Sequence, residues 1–387
     1  MIDIDIQAPD IDELEVTTIG PGSNNGESLV IHINGEWYIV DSCLFCDIPA
    51  ALIYLENIGV NFDSVTHIIC SHWHMDHIEG LQQLLASCVN ADFYVPCVGG
   101  KESNISQILK LCDMQGFDCR AWETYLACLD VLSDRNQTPQ LLTHDQVLLK
   151  TGKGAVEVHA LGPSNQMMVS FEKSLLQLNP DSPSEEQIEK LNKNLCSVAL
   201  SIKYYDTSCL LGGDVETGRK QRYNYDLCAK NCSEHEECGW CDIRPHSVPY
   251  DSDKPFSLVK IPHHSSVSAY CPKMWPNDFQ RNPISTTTLF NCGRGESLPT
   301  KEMLSLYYSH TDELYMTGNG EKKLKPVESP EIVDIDKSKN IELLETPVGG
   351  LGIVVCRIKP GEKNWRVKAF GSAIKVDDQF VANYHKN

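Results

Sequence analysis

The sequence predicts an α/β fold. Short β-rich runs and apolar stripes at helical spacing alternate along the whole chain, and turn residues separate them. No internal repeat interrupts this pattern, so residues 1–387 read as one domain, long enough to bury a full hydrophobic core. The 41% apolar and 22% charged residues are those of a globular protein, which excludes collagen, coiled coil and dominant disorder.

The elements follow in order. LVIHI (29–33) and EWYIV (36–40) flank Asn34-Gly35, the strongest short signal for a hairpin. A helix is expected over 49–57, closed by Gly59. VTHIIC (65–70) reads as a buried strand that runs directly into SHWHMDHIEG, after which Ile78, Leu81, Leu84 and Leu85 form a helical stripe. Further strands are expected at 93–95, 156–161, 197–204, 208–211, 257–261, 286–290 and 352–358. Helices are expected around 105–115, 185–193 and 301–308. Turn composition marks 179–186 as a surface insertion, a polar, cysteine-rich insertion occupies about 217–255, and a charged loop occupies about 321–340.

Charge and cysteine usage narrow the function. The 33 Lys+Arg against 53 Asp+Glu give −20, a field that repels phosphate backbones and argues against broad nucleic-acid binding. Metal cations held locally would override that repulsion. No stretch approaches the ~18–20 continuous apolar residues of a membrane span. The amino terminus, MIDIDIQAPDIDELEV, has no basic region followed by an apolar stretch. The expectation is a soluble, cytoplasmic protein with no membrane partner.

The 17 cysteines are an odd number and many sit in apolar runs, among them Cys70, Cys209 and Cys356, so most are expected as reduced, buried thiols. Cys43 and Cys46 read as ordinary packing. Cys228, Cys232, Cys238 and Cys241 are different: their C-x3-C-x5-C-x2-C spacing is a candidate structural zinc site, with oxidisable thiols as the alternative. The insertion that carries them is expected to overhang the active site as a lid or as a docking element for a protein partner. Trp73, Trp240 and Trp275 are candidates for stacking on a base, with core or rim packing as the alternative.

Residues 72–77, His-Trp-His-Met-Asp-His, put four metal-ligand side chains within six residues at the end of a strand. Imidazole and carboxylate together suit zinc, iron and manganese. His72 and His74 can serve one ion while Asp76 and His77 turn toward a second. Two more strands deliver ligands in the same way: SCLLGGDV ends in Asp214, placed to bridge two metals, and LVKIPHHSS ends in His263 and His264.

These motifs resemble the metallo-β-lactamase fold of metallohydrolases, and more closely the metallohydrolase domain of ComEC/Rec2-type competence proteins and their stand-alone relatives. The resemblance runs from about residue 15 to 372. IGPGSNNGESLVIHI precedes a strand ending in Asp41, and Asn194 and Ser197 precede the strand leading to Gly-Gly-Asp. KIPHHSS stands where that group has a Lys-Val-x-His-His-Gly-Ser-like run, with Ser266 in place of its glycine. NCGRGESLPTKEML and the later TGNG complete the match. The histidine-rich run is very specific for the fold and weakly specific for substrate.

The resemblance implies an αββα four-layer sandwich with two divalent ions, zinc or manganese, at one edge. It implies that His72 and His74 hold the first ion and that Asp76, His77 and His263 hold the second. Asp214 would bridge them, and His264 would bind substrate or donate a proton. One departure stands out. The wider fold has a further histidine in a Gly-His-Thr-like turn after a mid-chain strand, and here that place reads VHALGPS, with His159 inside the strand. The first ion is therefore expected to be weakly held, or the site mononuclear.

Divalent ions lower the pKa of a bound water toward ~7 and clamp a developing oxyanion. Asp76 would orient that water or take its proton. The expected function is metal-dependent hydrolysis, with a phosphodiester favoured by the resemblance (a nuclease or nucleotide phosphodiesterase). A small-molecule lactone or thioester is the first alternative, favoured by the −20 charge. A regulatory or effector subunit active only with a partner is the second.

Overall fold

The computed structural model describes residues 5–22, 26–97, 120–177, 191–217, 239–247, 250, 255–291, 297–319 and 350–384. The expected helix at 105–115, most of that at 185–193, the loop at 321–340, and Cys228, Cys232 and Cys238 lie outside them.

In chain order the first-half strands of the two large sheets are β1 (Leu14–Pro21), β2 (Ser28–Ile33), β3 (Glu36–Val40), β4 (Val65–Ile69), β5 (Asp92–Pro96), β6 (Gln140–Leu142), β7 (Gln146–Thr151) and β8 (Val156–Ala160). Those of the second half are β9 (Leu200–Tyr204), β10 (Thr207–Leu211), β11 (Phe256–Lys260), β12 (Phe279–Thr287), β13 (Leu314–Met316), β14 (Leu351–Ile358), β15 (Arg366–Gly371) and β16 (Ile374–Lys375). They form two eight-stranded sheets, ordered β15-β14-β1-β2-β3-β4-β5-β6 and β16-β13-β12-β11-β10-β9-β8-β7. Each sheet is mixed. β3, β4, β5 and β6 run parallel in the first, and β10, β11, β12 and β13 in the second. The described helices are α1 (Ala50–Asn57), α2 (Met75–Ile78), α3 (Leu81–Ser87), α4 (Arg120–Asp134), α5 (Asn165–Leu176), α6 (Gly239–His246), α7 (Met274–Asn277), α8 (Lys301–Tyr308) and α9 (Asp378–Asn383).

The local sequence explains the best-read elements. Asn34 (φ 53°) and Gly35 (φ 84°) supply the two left-handed residues of a tight β2–β3 turn. Gly59 (φ 76°) follows the end of α1, as its sequence suggested. Thr300 caps α8 by accepting a hydrogen bond from the Met303 amide.

Strand alternation sets the layers. In β2 and β3, Leu29, Ile31, Tyr38 and Val40 face Ile202, Leu211 and Leu258 of the second sheet. Val30 and Ile39 face the opposite way, onto Leu55 of α1, Leu84 of α3 and Trp122 of α4. On the far side of the second sheet, Leu210 and Val259 pack against α6, α7 and α8 through Trp240, Met274 and Leu304. The order is helix, sheet, sheet, helix. Central strands buried on both faces read as continuous apolar runs, which is why the sequence exposed them so clearly.

Several elements depart from expectation. β1 and α4 were not anticipated, and β12 starts at Phe279 rather than 286 because Asn282 (φ 62°) and Pro283 break its strand pattern. Trp73, Trp240 and Trp275 are core residues, 0%, 0% and 8% exposed, so none of them is a stacking platform on the surface. Trp73 lies 5.4 Å from the Trp122 ring.

The sheets approach closely where β14 meets the segment after β13. A Cβ placed on Gly352 would lie 1.6 Å from the Thr317 carbonyl oxygen. Gly352→Ala is therefore expected to destabilise by about 3 kcal/mol, since backbone must move to admit one methyl group. A urea midpoint equal to that of the wild type would contradict it.

Candidate metal centre

Three strands end at one edge of the sandwich. β4 leads through Cys70 and Ser71 to His72 and His74, and α2 begins at once and carries Asp76 and His77. β10 leads through Gly212 and Gly213 to Asp214. β11 leads through Ile261 and Pro262 to His263 and His264. Gly213 is needed as glycine: its φ is +51°, and a Cβ there would meet the Val198 carbonyl oxygen at 2.4 Å. The Asp214 amide donates to Ser197 Oγ at 2.8 Å, which fixes the turn.

Asp214 stands between two sets of imidazoles. Its Oδ2 is 3.6 Å from His72 Nε2, and its Oδ1 is 3.5 Å from His77 Nε2. His72 Nε2 and His74 Nδ1 are 2.9 Å apart. Asp76 Oδ2 lies 3.4 Å from His77 Nε2 and 3.0 Å from His264 Nε2. His72, His74 and Asp214 thus form one potential ligand set, and Asp76, His77 and His264 form another. His77 Nε2 and Asp214 Oδ1 are buried, face each other, and make no hydrogen bond. Buried polar atoms left this way carry a desolvation penalty that a shared cation would relieve, so these residues fit divalent metal.

Outer groups hold the ligands. Asp41 accepts from the Ser71 amide and hydroxyl, both at 2.6 Å, and from His77 Nδ1 at 2.7 Å. That leaves His77 Nε2 for the centre. Asp41 does this from a left-handed backbone, φ 61°. On the other side, Thr288 Oγ1 donates to Glu27 Oε2 at 2.7 Å and accepts from His264 Nδ1 at 2.7 Å. Glu27 in turn forms an ion pair with Lys260, both almost wholly buried.

Burial drives the His72 and His74 imidazoles toward neutrality, His74 to about 4. Burial also opposes charge on His77, but Asp214, Asp76 and Asp41 outweigh it and raise its pKa well above the ordinary value. Burial likewise penalises the carboxylates of Asp76 and Asp214. His77 overrides it for both, with His264 beside Asp76 and His263 beside Asp214, and both carboxyls stay well below the usual range. Asp214, Asp76 and Asp41 thus favour the charged form of His77 in the metal-free centre, so an arriving ion competes with a proton there. Metal affinity is expected to fall as pH falls, with proton release on loading. Calorimetric titration in two buffers of different ionisation enthalpy reads that release, and identical heats in both would count against it.

His72, His74, Asp76, His77 and Asp214 all lie at this edge. The His pair sorts differently from expectation. His264, anticipated as a substrate or proton group, joins Asp76 and His77, whereas His263, anticipated beside them, turns toward Asp214 and Glu216. Ser266 has an ordinary φ of −61°, and the left-handed position that suits glycine is Ser265, φ 63°. His159 stays in β8, bonded to Glu157 at 2.9 Å. Cys241 is disulfide-bonded and so is not a free thiolate for zinc, which removes one corner of the anticipated four-cysteine site. Sequence reasoning assigned no role to Glu27, Lys260, Ser71, Thr288 or Glu216. A lysine inside the buried run LVKI was the one visible signal.

Residues 22–97 match the family model of the metallo-beta-lactamase superfamily. The two mixed sheets face to face with helices outside have the architecture of that fold. A search of curated protein sequences finds no match. Among solved structures, the chain is similar to a Cronobacter sakazakii metallo-beta-lactamase with a HARLDQ motif, at 15% identity, 63% of this chain, 73% of that one and TM-score 0.31. It is also similar to the metallo-beta-lactamase fold protein YhfI from Bacillus subtilis, at 14% identity, 64% and 70% coverage and TM-score 0.31. A third is a putative metallo-beta-lactamase from Thermotoga maritima, at 14% identity, 57% and 86% coverage and TM-score 0.32. No described helix is long and apolar enough to cross a membrane.

Proposed function

We propose that this chain is a metal-dependent hydrolase that takes two divalent ions, zinc or manganese, and cleaves a phosphodiester as a nuclease or nucleotide phosphodiesterase. The observation that carries the reading is Asp214, whose two oxygens face His72 on one side and His77 on the other. One ion would be held by His72, His74 and Asp214, the other by Asp76, His77 and His264 with Asp214 shared. When bound, such ions supply Lewis acidity and a water nucleophile near neutral pH.

The rest falls to the chain. Asp76 Oδ2, held between His77 and His264, is fixed to orient a nucleophile or take its proton. Asp41 and Thr288 lock the two imidazoles so that little reorganisation is left for the reaction. The choice of phosphodiester is supported by the resemblance to competence-protein domains and by a shared carboxylate, which suits an in-line displacement clamped from both sides.

The net charge of −20 favours a second reading, a small lactone or thioester. Turnover of bis(p-nitrophenyl) phosphate, a single-stranded oligonucleotide, a homoserine lactone and a thioester, with each metal and with chelator, separates the two. Chelator-sensitive cleavage of the first two, with oligonucleotide cleavage weakening as salt rises, supports the phosphodiester reading. Cleavage of the lactone or thioester alone overturns it.

A further inference from the structure

The first ligand set lacks a third imidazole. Among the described residues the mid-chain strand β8 offers His159, but that ring is tied to Glu157. A replacement comes from the opposite strand. Asp214 Oδ2, the oxygen that faces His72 Nε2 at 3.6 Å, also has His263 Nε2 at 3.8 Å, whereas Oδ1 faces His77. His263 therefore lies on the His72 side of the shared carboxylate. Its other nitrogen is held from behind, with Nδ1 3.3 Å from Glu216 Oε1 and 3.3 Å from Ser268 Oγ. Glu216 is itself fixed by Ser268 Oγ at 2.8 Å and Asn192 Nδ2 at 3.3 Å. A ligating histidine characteristically gives its second ring nitrogen to a carboxylate or hydroxyl in this way. His77 does so with Asp41, and His264 with Thr288.

Consecutive residues serve two ions because the backbone turns sharply between them. His263, His264 and Ser265 are all left-handed, at φ 49°, 49° and 63°, and the two rings end 6.3 Å apart. The His263 side chain is 20% exposed against 1% for His264, so it closes the set from the solvent side.

We infer that His263 is the third imidazole of the ion held by His72, His74 and Asp214, replacing the mid-chain histidine of the wider fold. Glu216 is its positioning residue. This rests on the two-ion reading above and assigns which side chain completes which half of it. With the more exposed histidine in its set, that ion would be the more readily exchanged of the two.

The test is stepwise zinc affinity by competition with a chelating dye, together with visible absorption of the cobalt(II)-loaded protein, on wild type, His263→Ala, His264→Ala and Glu216→Gln. The expected wild type binds two ions. His263→Ala weakens one of them at least tenfold, and adding His72→Ala weakens that same ion further while the other keeps its wild-type affinity, because both side chains act on one ion. His264→Ala weakens the other. Glu216→Gln, which touches no ion, weakens the His263 ion by about 10–100-fold and decides the matter if His263→Ala does not fold. Two ions at wild-type affinity and an unchanged cobalt spectrum in both His263→Ala and Glu216→Gln overturn the assignment, even if turnover drops, and make His263 a proton donor instead. A wild type that binds no ion overturns the hydrolase reading itself.

Discussion

Asp214→Ala is expected to take the metal content from two ions per chain to less than one and to abolish hydrolysis. This carboxylate belongs to the His72 and His74 set and also faces His77 of the other; it is 1% exposed and cannot be replaced by solvent without opening the edge of the sandwich. Its loss also strips His77 of one of the three carboxylates that raise its pKa, Asp76 and Asp41 being the others. Removal of a group that merely supports a ligand weakens metal by about 10–100-fold, so loss of a ligand shared by both ions exceeds that range. Elemental analysis after gel filtration reads the outcome. Two ions retained in the variant would contradict the placement of Asp214 at the centre.

Lys260→Met is expected to destabilise the fold by roughly 3–5 kcal/mol, the effect of removing one partner of a buried ion pair. Lys260 is 0% exposed and Glu27 1%, so the orphaned carboxylate has no access to water. The double variant Lys260→Met/Glu27→Gln is expected to recover much of the loss, because no uncompensated charge remains. Urea denaturation measures both. A Lys260→Met midpoint near that of the wild type, or a double variant no better than the single, would show that the pair does not bear on stability. The same Glu27 holds Thr288 and through it His264, so the double variant is also expected to bind its second ion less tightly.

How far the sequence could be read depended on where polar groups were placed. The histidine-rich run was legible because four ligand types crowd six positions, and the central strands were legible because both faces are covered. β1 was not: Glu15, Thr17 and Thr18 interrupt it, and their burial makes sense only with Tyr54, Arg357 and Thr286 as partners across the fold. α4 carried a usable stripe in Trp122, Tyr125, Cys128 and Leu132 that went unread. The places of the His263 and His264 rings were beyond any spacing rule. Adjacent residues in an extended chain point to opposite sides, and only the run of left-handed backbone shows where each ring ends up.

His72, His74, Asp76 and His77 hang from the first sheet, and Asp214, His263 and His264 from the second. Every ion held here would therefore tie one half of the sandwich to the other. Elsewhere the halves are joined largely by apolar contact, which resists separation but little resists sliding, with a few polar links such as Thr18 to Thr286 and Glu27 to Lys260. At this edge they would be cross-linked by directional bonds. The centre would then act as a clasp: loading it sets the relative register of the two halves, and emptying it frees that edge while the remainder of the interlayer core stays closed.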